Sequence, residues 1–385
     1  MLLPIDTIIF EYECIIIVLD FVCPQVVDKC DTDELIRKYL PLQSDSKHNT
    51  IPLAIQTNFF KCGGIAIAVQ VSHKIADATS LATFMNTWAA ICREDDKQII
   101  SQPNFDVSTS LFPPRDHLSN NIPDFLQLLQ VPREKIKTKR MVFNKETLKE
   151  LKEYISKDPE LQVKDPTRVE VVTAWIWRLF LEIHEAKKGK HVNFSAMTAI
   201  NLRSRMHPPL SNLAFGNLWT GAFALIPDSV LPQLIRQERY EPVPPIFNMA
   251  TIDIAIFNQA PKYRKENEYG NLVSELRNSI RAIDPNYVNK MREGGEIMPK
   301  NASKELILSM GEMQFCVTSS WCRLPLYEVN YGWGKPFWVC TTSLPYKNIA
   351  LLMDNRDGDG IVAWINMLEE DSSIFFGNGN SCTKS

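Results

Sequence analysis

The run Ile65-Ala66-Ile67-Ala68-Val69-Gln70-Val71 reads as a buried strand, and the residues that close it set the problem this chain poses. Ser72 follows, then His73-Lys74-Ile75-Ala76-Asp77. A side chain whose charge can change near neutrality thus stands at the end of a rigid element, with a carboxylate four positions on. A neutral imidazole can take a proton from a hydroxyl or an amine when its surroundings hold it in place. Asp77 is open to three readings: it orients the ring, it is buried against an arginine, or it caps a helix beginning near Ala78. Spacing alone does not separate a working base from a satisfied structural histidine. No third ligand lies near enough in sequence to make the pair a metal site.

The flanking segments enlarge the same unit. Ile51 to Phe60 is a second strand, joined to the first through Lys61-Cys62-Gly63-Gly64, where glycine relieves the limit on φ. From Ala78 to Arg93 the period is helical, with Leu81, Phe84, Met85, Trp88 and Ala89 on one face. Upstream, Ile8-Ile9-Phe10 and Cys14-Ile15-Ile16-Ile17-Val18-Leu19 are strongly apolar, but Glu11, Glu13 and Asp20 interrupt them. A membrane span needs about 20 mostly apolar residues, and no basic segment or clear cleavage site marks a leader. One or two strands are expected there, and a short helix from Asp33 to Tyr39, stopped by Pro41.

Residues 103 to 126 give no period, and Phe112-Pro113-Pro114, Asn120-Asn121 and Pro123 break them up. Connections of this length usually join domains or carry function, so a boundary belongs here. Beyond it, strands are expected at Lys139–Phe143, Phe194–Ile200, Phe315–Trp321, Trp338–Thr342, Ile349–Asp354 and Gly360–Asn366. Helices are expected at Glu146–Ile155, Val169–His184 and Tyr269–Ile283. The order is mixed α/β, and the 385 residues leave room for two domains.

Charge and composition exclude several classes. Lys and Arg total 42 against 45 Asp and Glu, and no basic stripe with interleaved aromatics occurs, so nucleic acid has no support as a partner. The nine cysteines form no CxxC and no zinc-finger spacing, which fits reduced, mostly buried thiols and a cytosolic compartment. No Gly-x-Ser-x-Gly elbow is present. Two further segments have the composition of a site. Asn330-Tyr331-Gly332-Trp333-Gly334-Lys335-Pro336 is a tight turn that approaches a ligand, locks a seam or simply ends a strand. Thr318-Ser319-Ser320-Trp321 offers hydroxyls at a strand end, either as donors to a developing oxyanion or as a plain exposed run.

Taken in order, Phe60-Lys61-Cys62-Gly63-Gly64, Ser72-His73-Lys74-Ile75-Ala76-Asp77, Asn201-Leu202-Arg203-Ser204-Arg205-Met206, Ser320-Trp321-Cys322-Arg323-Leu324 and Asn330-Tyr331-Gly332-Trp333-Gly334 resemble the plant acyl-CoA-dependent acyltransferases of the BAHD family. The resemblance runs from about Val27 to the C-terminus and is strongest to the branch that O-acetylates monoterpene indole alkaloids. It implies two domains like chloramphenicol acetyltransferase, residues 1–108 and 128–385, joined by a crossover loop at 109–127, with a channel between them. Acyl-CoA, preferentially acetyl-CoA, would enter from one face as a co-substrate and a small-molecule alcohol from the other, with no metal and no tightly bound cofactor. His73 would be the general base. Ser319, beside Trp321, would stabilise the oxyanion, and Asp77 would pair with Arg203 or Arg205 away from the channel. Asn330, Gly332, Trp333 and Gly334 would form a distant structural turn. A monomer is implied.

Three departures from the family pattern carry further expectations. The histidine lies earlier in the chain than in the family, so the N-terminal domain is expected to be shortened, and residues 1 to about 24 match nothing there. Asn330 stands where the family has aspartate and Tyr331 where it has phenylalanine, which removes an ion pair and threatens to leave a buried arginine unpaired. About 30 residues around 228 to 260 are expected to be an insertion.

Overall fold

The computed structural model describes residues 12–19, 39–40, 51–95, 100, 102–113, 129–158, 162–188, 194–226, 269–293, 314–341, 344 and 346–376. Two sheets organise them. The smaller contains β1 (Tyr12–Leu19), β2 (Leu53–Phe59), β3 (Ile65–Ser72) and β8 (Pro336–Thr341), in the order β2-β3-β1-β8. The larger contains β4 (Ile136–Phe143), β5 (Phe194–Asn201), β6 (Trp219–Ile226), β7 (Gln314–Ser320), β9 (Ile349–Asp354) and β10 (Ile361–Leu368), in the order β4-β10-β9-β7-β5-β6. It is mixed: β5-β7 and β7-β9 are parallel, the other pairs antiparallel.

β3 is buried along nearly its whole length because both of its edges are paired. β2 returns onto it through a turn closed by Phe60 N–H to Gly64 and Gly63 N–H to Phe60, each 2.9 Å, with Gly63 at φ +94°. On the other side β1 runs antiparallel from Tyr12 opposite Ser72 to Leu19 opposite Ile65, and pairs on its far edge with β8. The Cys14–Leu19 part of the apolar N-terminal block therefore lies in an interior strand of the histidine-bearing sheet. β8, far along the chain, supplies that sheet's other edge.

α1 (Ala78–Cys92) follows the histidine turn and buries Leu81, Ala82, Met85 and Ala89. Its core joins β3 to one face of the large sheet, through Met197, Phe315, Val317, Trp321, Leu351 and Trp364. The opposite face, with Ala196, Cys316, Ala350, Leu352, Ala363 and Ile365, is covered by helices. These are α3 (Lys145–Ser156), α4 (Arg168–Lys188) and α5 (Tyr269–Ala282). The alternation follows from the strand period of two: successive residues face α1 and β3, or the helices.

The expected strands and helices of the second half stand within a few residues of their sequence positions. Others escaped the sequence: β6, α6 (Pro285–Glu293), α7 (Glu369–Phe376) and the short α2 (Asp106–Leu111). α2 lies in the connection that showed no period. Asn104 caps it by accepting from the N–H groups of Asp106 and Val107, at 3.1 and 3.3 Å. Asn104 also ties this segment to the loop before β6, through Leu213 and Phe215. Most of the helix expected at 33–39, most of the crossover loop and the stretch around 228–260 lie outside the described residues. Among the described residues, no helix is long and apolar enough to cross a membrane.

Candidate active site

His73 immediately follows β3 and is 3% exposed. Its ring is held from the loop before β6. Nδ1 lies 2.9 Å from Asn217 Oδ1, and Asn217 Nδ2 donates to the His73 carbonyl. The second contact fixes which way the amide faces, so its oxygen is the atom beside the ring. A carbonyl oxygen only accepts, so Nδ1–H donates to it, and in the neutral ring Nε2 is the acceptor nitrogen. Two residues on, Trp219 packs against the imidazole with ring centroids 5.9 Å apart.

Asp77 does something else. It caps α1, accepting from Ser80 N–H at 2.9 Å, and it accepts Leu218 N–H at 3.0 Å. Arg203 grips both carboxylate oxygens, Nη1 to Oδ2 at 2.7 Å and Nη2 to Oδ1 at 3.1 Å. Arg203 itself is 1% exposed, and its remaining donors reach the carbonyls of Ala214 and Gly216 and the Ser80 hydroxyl. Two buried charges are tolerable here because every donor has an acceptor. This pair also anchors the loop that carries Asn217. Arg205 is not part of it: its guanidinium donates to the carbonyls of Ile280 and Ile283.

Ser319 lies on β7, in register with Ala199 of β5, which in turn faces Gly221 of β6. Gly221 is two residues from Trp219, so Ser319 and Trp219 belong to the same face of the sheet. That is the face toward α1 and β3. Trp321, two residues beyond Ser319 and 2% exposed, shares it, and its indole N–H has no hydrogen-bond partner among the described residues. Neighbouring Thr318 points the other way and pairs with Thr198 at 2.9 Å. Burial pushes the Cys322 thiol up to about 11 and the Cys316 thiol well above its ordinary value.

The second motif is a capped turn. Asn330 Oδ1 accepts from the N–H groups of Gly332 and Gly334, at 2.8 and 3.1 Å. Both glycines have positive φ, +105° and +110°, which a side chain would strain. An amide oxygen makes these bonds as a carboxylate oxygen would. The arginine beside it, Arg93, donates to the Asn330 carbonyl and pairs with Asp95. Among the described residues, replacing the family aspartate therefore leaves no buried arginine unpaired at this turn. Tyr331 is buried edge-on against Trp88, and Trp333 is 60% exposed.

The structure thus brings His73, Asp77 and Arg203 together and sets Ser319 and Trp321 on the face opposite them; it keeps Arg205 and the Asn330–Gly334 turn apart. Asn217 and Trp219 were not read from the sequence. The one available signal was Gly216-Asn217-Leu218 after a proline pair, an isolated polar residue ahead of an apolar strand.

Comparison with known proteins identifies the family and the fold. A family model described as Transferase family matches residues 22–228 and 243–380. The chain belongs to that family, the BAHD acyltransferases. The match begins within the first residues after β1 and breaks only inside the stretch expected as an insertion. The chain is 36% identical to stemmadenine O-acetyltransferase of Catharanthus roseus, over 89% of its own length and 69% of that protein's. It is 34% identical to vinorine synthase of Rauvolfia serpentina, over 84% of its length but 64% of that enzyme's. The crystal structure of vinorine synthase superposes with a TM-score of 0.67 at 26% identity, covering 97% of this chain and 91% of that one. TRI101 of F. sporotrichioides, solved with coenzyme A and T-2, shares the fold at 16% identity and a TM-score of 0.63, over 97% and 95% of the two chains.

Proposed function

We propose that this protein transfers an acyl group, preferentially acetyl, from acyl-CoA to a hydroxyl of an alkaloid or a similarly bulky alcohol. The observation that carries this reading is the division of labour around His73. Its Nδ1–H is held by Asn217, the ring is buried beside Trp219, and the nearby carboxylate is committed to Arg203. That is a base held in one orientation, suited to activating a substrate's own hydroxyl.

In the reaction, the acceptor hydroxyl gives its proton to His73 Nε2 while its oxygen attacks the thioester carbon. Fixing the ring's tautomer in advance lets the base act without reorganisation. The tetrahedral intermediate places negative charge on the former carbonyl oxygen, and the Ser319 hydroxyl donates to it. The C–S bond then breaks, and the coenzyme A thiolate takes the proton back from the imidazolium. No acyl-enzyme forms. Asp77 and Arg203 hold the scaffold. The substrates meet between the histidine-bearing unit, residues 1–108, and the unit at 128–385, joined by a crossover at 109–127. We infer a monomer acting in the cytoplasm.

The alkaloid acceptor is supported by likeness to stemmadenine O-acetyltransferase and to the salutaridinol 7-O-acetyltransferase of Papaver somniferum, 30% identical over 83% of this chain. A terpenoid alcohol is favoured by likeness to the limonoid 1-O-acetyltransferase of Citrus sinensis, 30% identical over 90% of the chain. Incubating purified protein with acetyl-CoA and stemmadenine, salutaridinol or a limonoid alcohol, and following free thiol, tests the reading. Thiol release that depends on one of the alcohols supports it and names the acceptor class. Folded protein that releases no thiol with any of them identifies a non-catalytic relative.

A further inference from the structure

Small side chains line up across the middle of the large sheet. Gly221 of β6 faces Ala199 of β5, which faces Ser319 of β7, so this row stands little above the backbone. By the strand period it belongs to the face toward α1 and β3. Larger side chains flank it on the same face. Trp219 stands two positions before Gly221 and Phe223 two after. Phe223 stacks with Phe315 of β7, ring centroids 6.5 Å apart and planes at 28°. The result is a trough running across the strands between aromatic walls.

Exposure follows the row. Along β6, Trp219, Gly221 and Phe223 are half-buried, while Thr220, Ala222 and Ala224 are buried. Ala199 and Ser319 are half-buried too, although β5 and β7 have a strand on both edges. Open space therefore reaches the interior of the sheet on this face. It does so beside His73, whose ring centroid lies 5.9 Å from that of Trp219.

Gly221 sets the depth of the trough. Its φ is not in the left-handed region, so the strand backbone would accept another residue there. What the glycine supplies is volume. A Cβ would come within 2.8 Å of the Met197 sulfur, 2.9 Å of its Cγ and 3.0 Å of the Phe223 ring. The Met197 side chain, 1% exposed, thus lies against the glycine and forms the floor.

We propose that Gly221 is a specificity-determining residue, which with Met197 gives the trough the depth to seat the apolar body of the acceptor alcohol. This deepens the acyl-transfer reading and rests on it. The alcohol's hydroxyl must reach His73, which borders the trough at Trp219. Aromatic walls suit a bulky apolar ring system, whereas coenzyme A carries phosphates and its acetyl group is small. An unbranched thioether is a floor that adjusts to the shape above it. A side chain at 221 would force Met197 and Phe223 into the space the alcohol needs.

Isothermal titration of wild type, Gly221→Ala, Gly221→Val and the double variant Gly221→Ala/Met197→Ala tests this, after each is shown to unfold cooperatively. The probes are coenzyme A and whichever of stemmadenine, salutaridinol or a limonoid alcohol the wild type binds best. The Kd for the alcohol is expected to rise about 10-fold in Gly221→Ala and about 100-fold in Gly221→Val, the scale of one or two misplaced methyl groups in an apolar pocket. The Kd for coenzyme A should stay unchanged, and the double variant should recover most of the affinity lost by Gly221→Ala. Unchanged alcohol binding in a folded glycine variant overturns the proposal. So does an equal loss of both probes, or a wild type that binds none of the alcohols. If Gly221→Val does not fold, Gly221→Ala decides alone. A wild type that binds the alcohol and coenzyme A yet releases no thiol from acetyl-CoA would sink the acyl-transfer reading, while the affinities still decide the role of Gly221.

Discussion

Asp77 uses both carboxylate oxygens away from His73, and Arg203 has no route to water. Truncating Arg203 to alanine leaves a buried carboxylate without its counter-charge, a change that costs about 3–5 kcal/mol. Urea unfolding of Arg203→Ala should show that loss as a lower midpoint. Asn217 is the opposite case. Its two bonds to His73 fix a tautomer rather than hold a fold, so Asn217→Leu should lower kcat about 10- to 100-fold, part of the ~10²–10⁴ that a positioned base supplies. Its KM and unfolding midpoint should move far less, which stopped-flow or steady-state thiol release alongside urea unfolding would show. The sequence exposed His73 and Asp77 through their fixed spacing at the end of an apolar run. Asn217 was hidden because its partner lies 144 positions away, a separation that no local pattern encodes.

At the level of elements, β1 matters most. Ile16 faces Ala68 on one side and Cys340 on the other, so its backbone stands in the interior of the small sheet. Proline there removes a ladder donor where no edge can absorb the loss. Ile16→Pro should therefore abolish the cooperative thermal transition or leave the protein insoluble, whereas a soluble variant with an unchanged melting curve would show that β1 is dispensable. The apolar block around β1 was legible as a strand because Glu11, Glu13 and Asp20 excluded a span. β6 was not legible. Trp219, Gly221 and Phe223 share one face of it, but Gly221 blanks the period at its centre. A Cβ there would come within 2.8 Å of the Met197 sulfur, so the gap serves packing rather than a turn. α2 was missed for a simpler reason: one and a half turns carry too few residues to show a period.

Across the whole molecule, what the sequence could not supply is the pairing of distant strands. β8 was recognised as a strand, yet nothing local says that it leaves its neighbours to close the sheet carrying His73. Long-range ion pairs were equally invisible. Glu170 at the start of α4 meets Arg277 of α5 at 2.7 Å. Burial pushes the Glu170 carboxyl up, but hydrogen bonds from Arg277 and Thr167 outweigh it and hold the carboxyl below its usual range. A group lowered on folding contributes stability above its unfolded value, near 4.3, and loses it as pH falls through the folded value. Wild-type protein should therefore lose urea resistance from about pH 5 downward more steeply than Glu170→Gln, which should start weaker at pH 7. Parallel slopes would contradict that assignment.

Acyl transfer by this protein turns on His73 acting as the base. The most direct measurement is coenzyme A thiol release from acetyl-CoA by wild type and His73→Gln, each first shown to unfold at the same temperature, with the alcohol the wild type turns over best. His73→Gln should lose at least about 100-fold in kcat, the lower end of what a general base supplies. Equal rates for the two proteins would rule out His73 as the base.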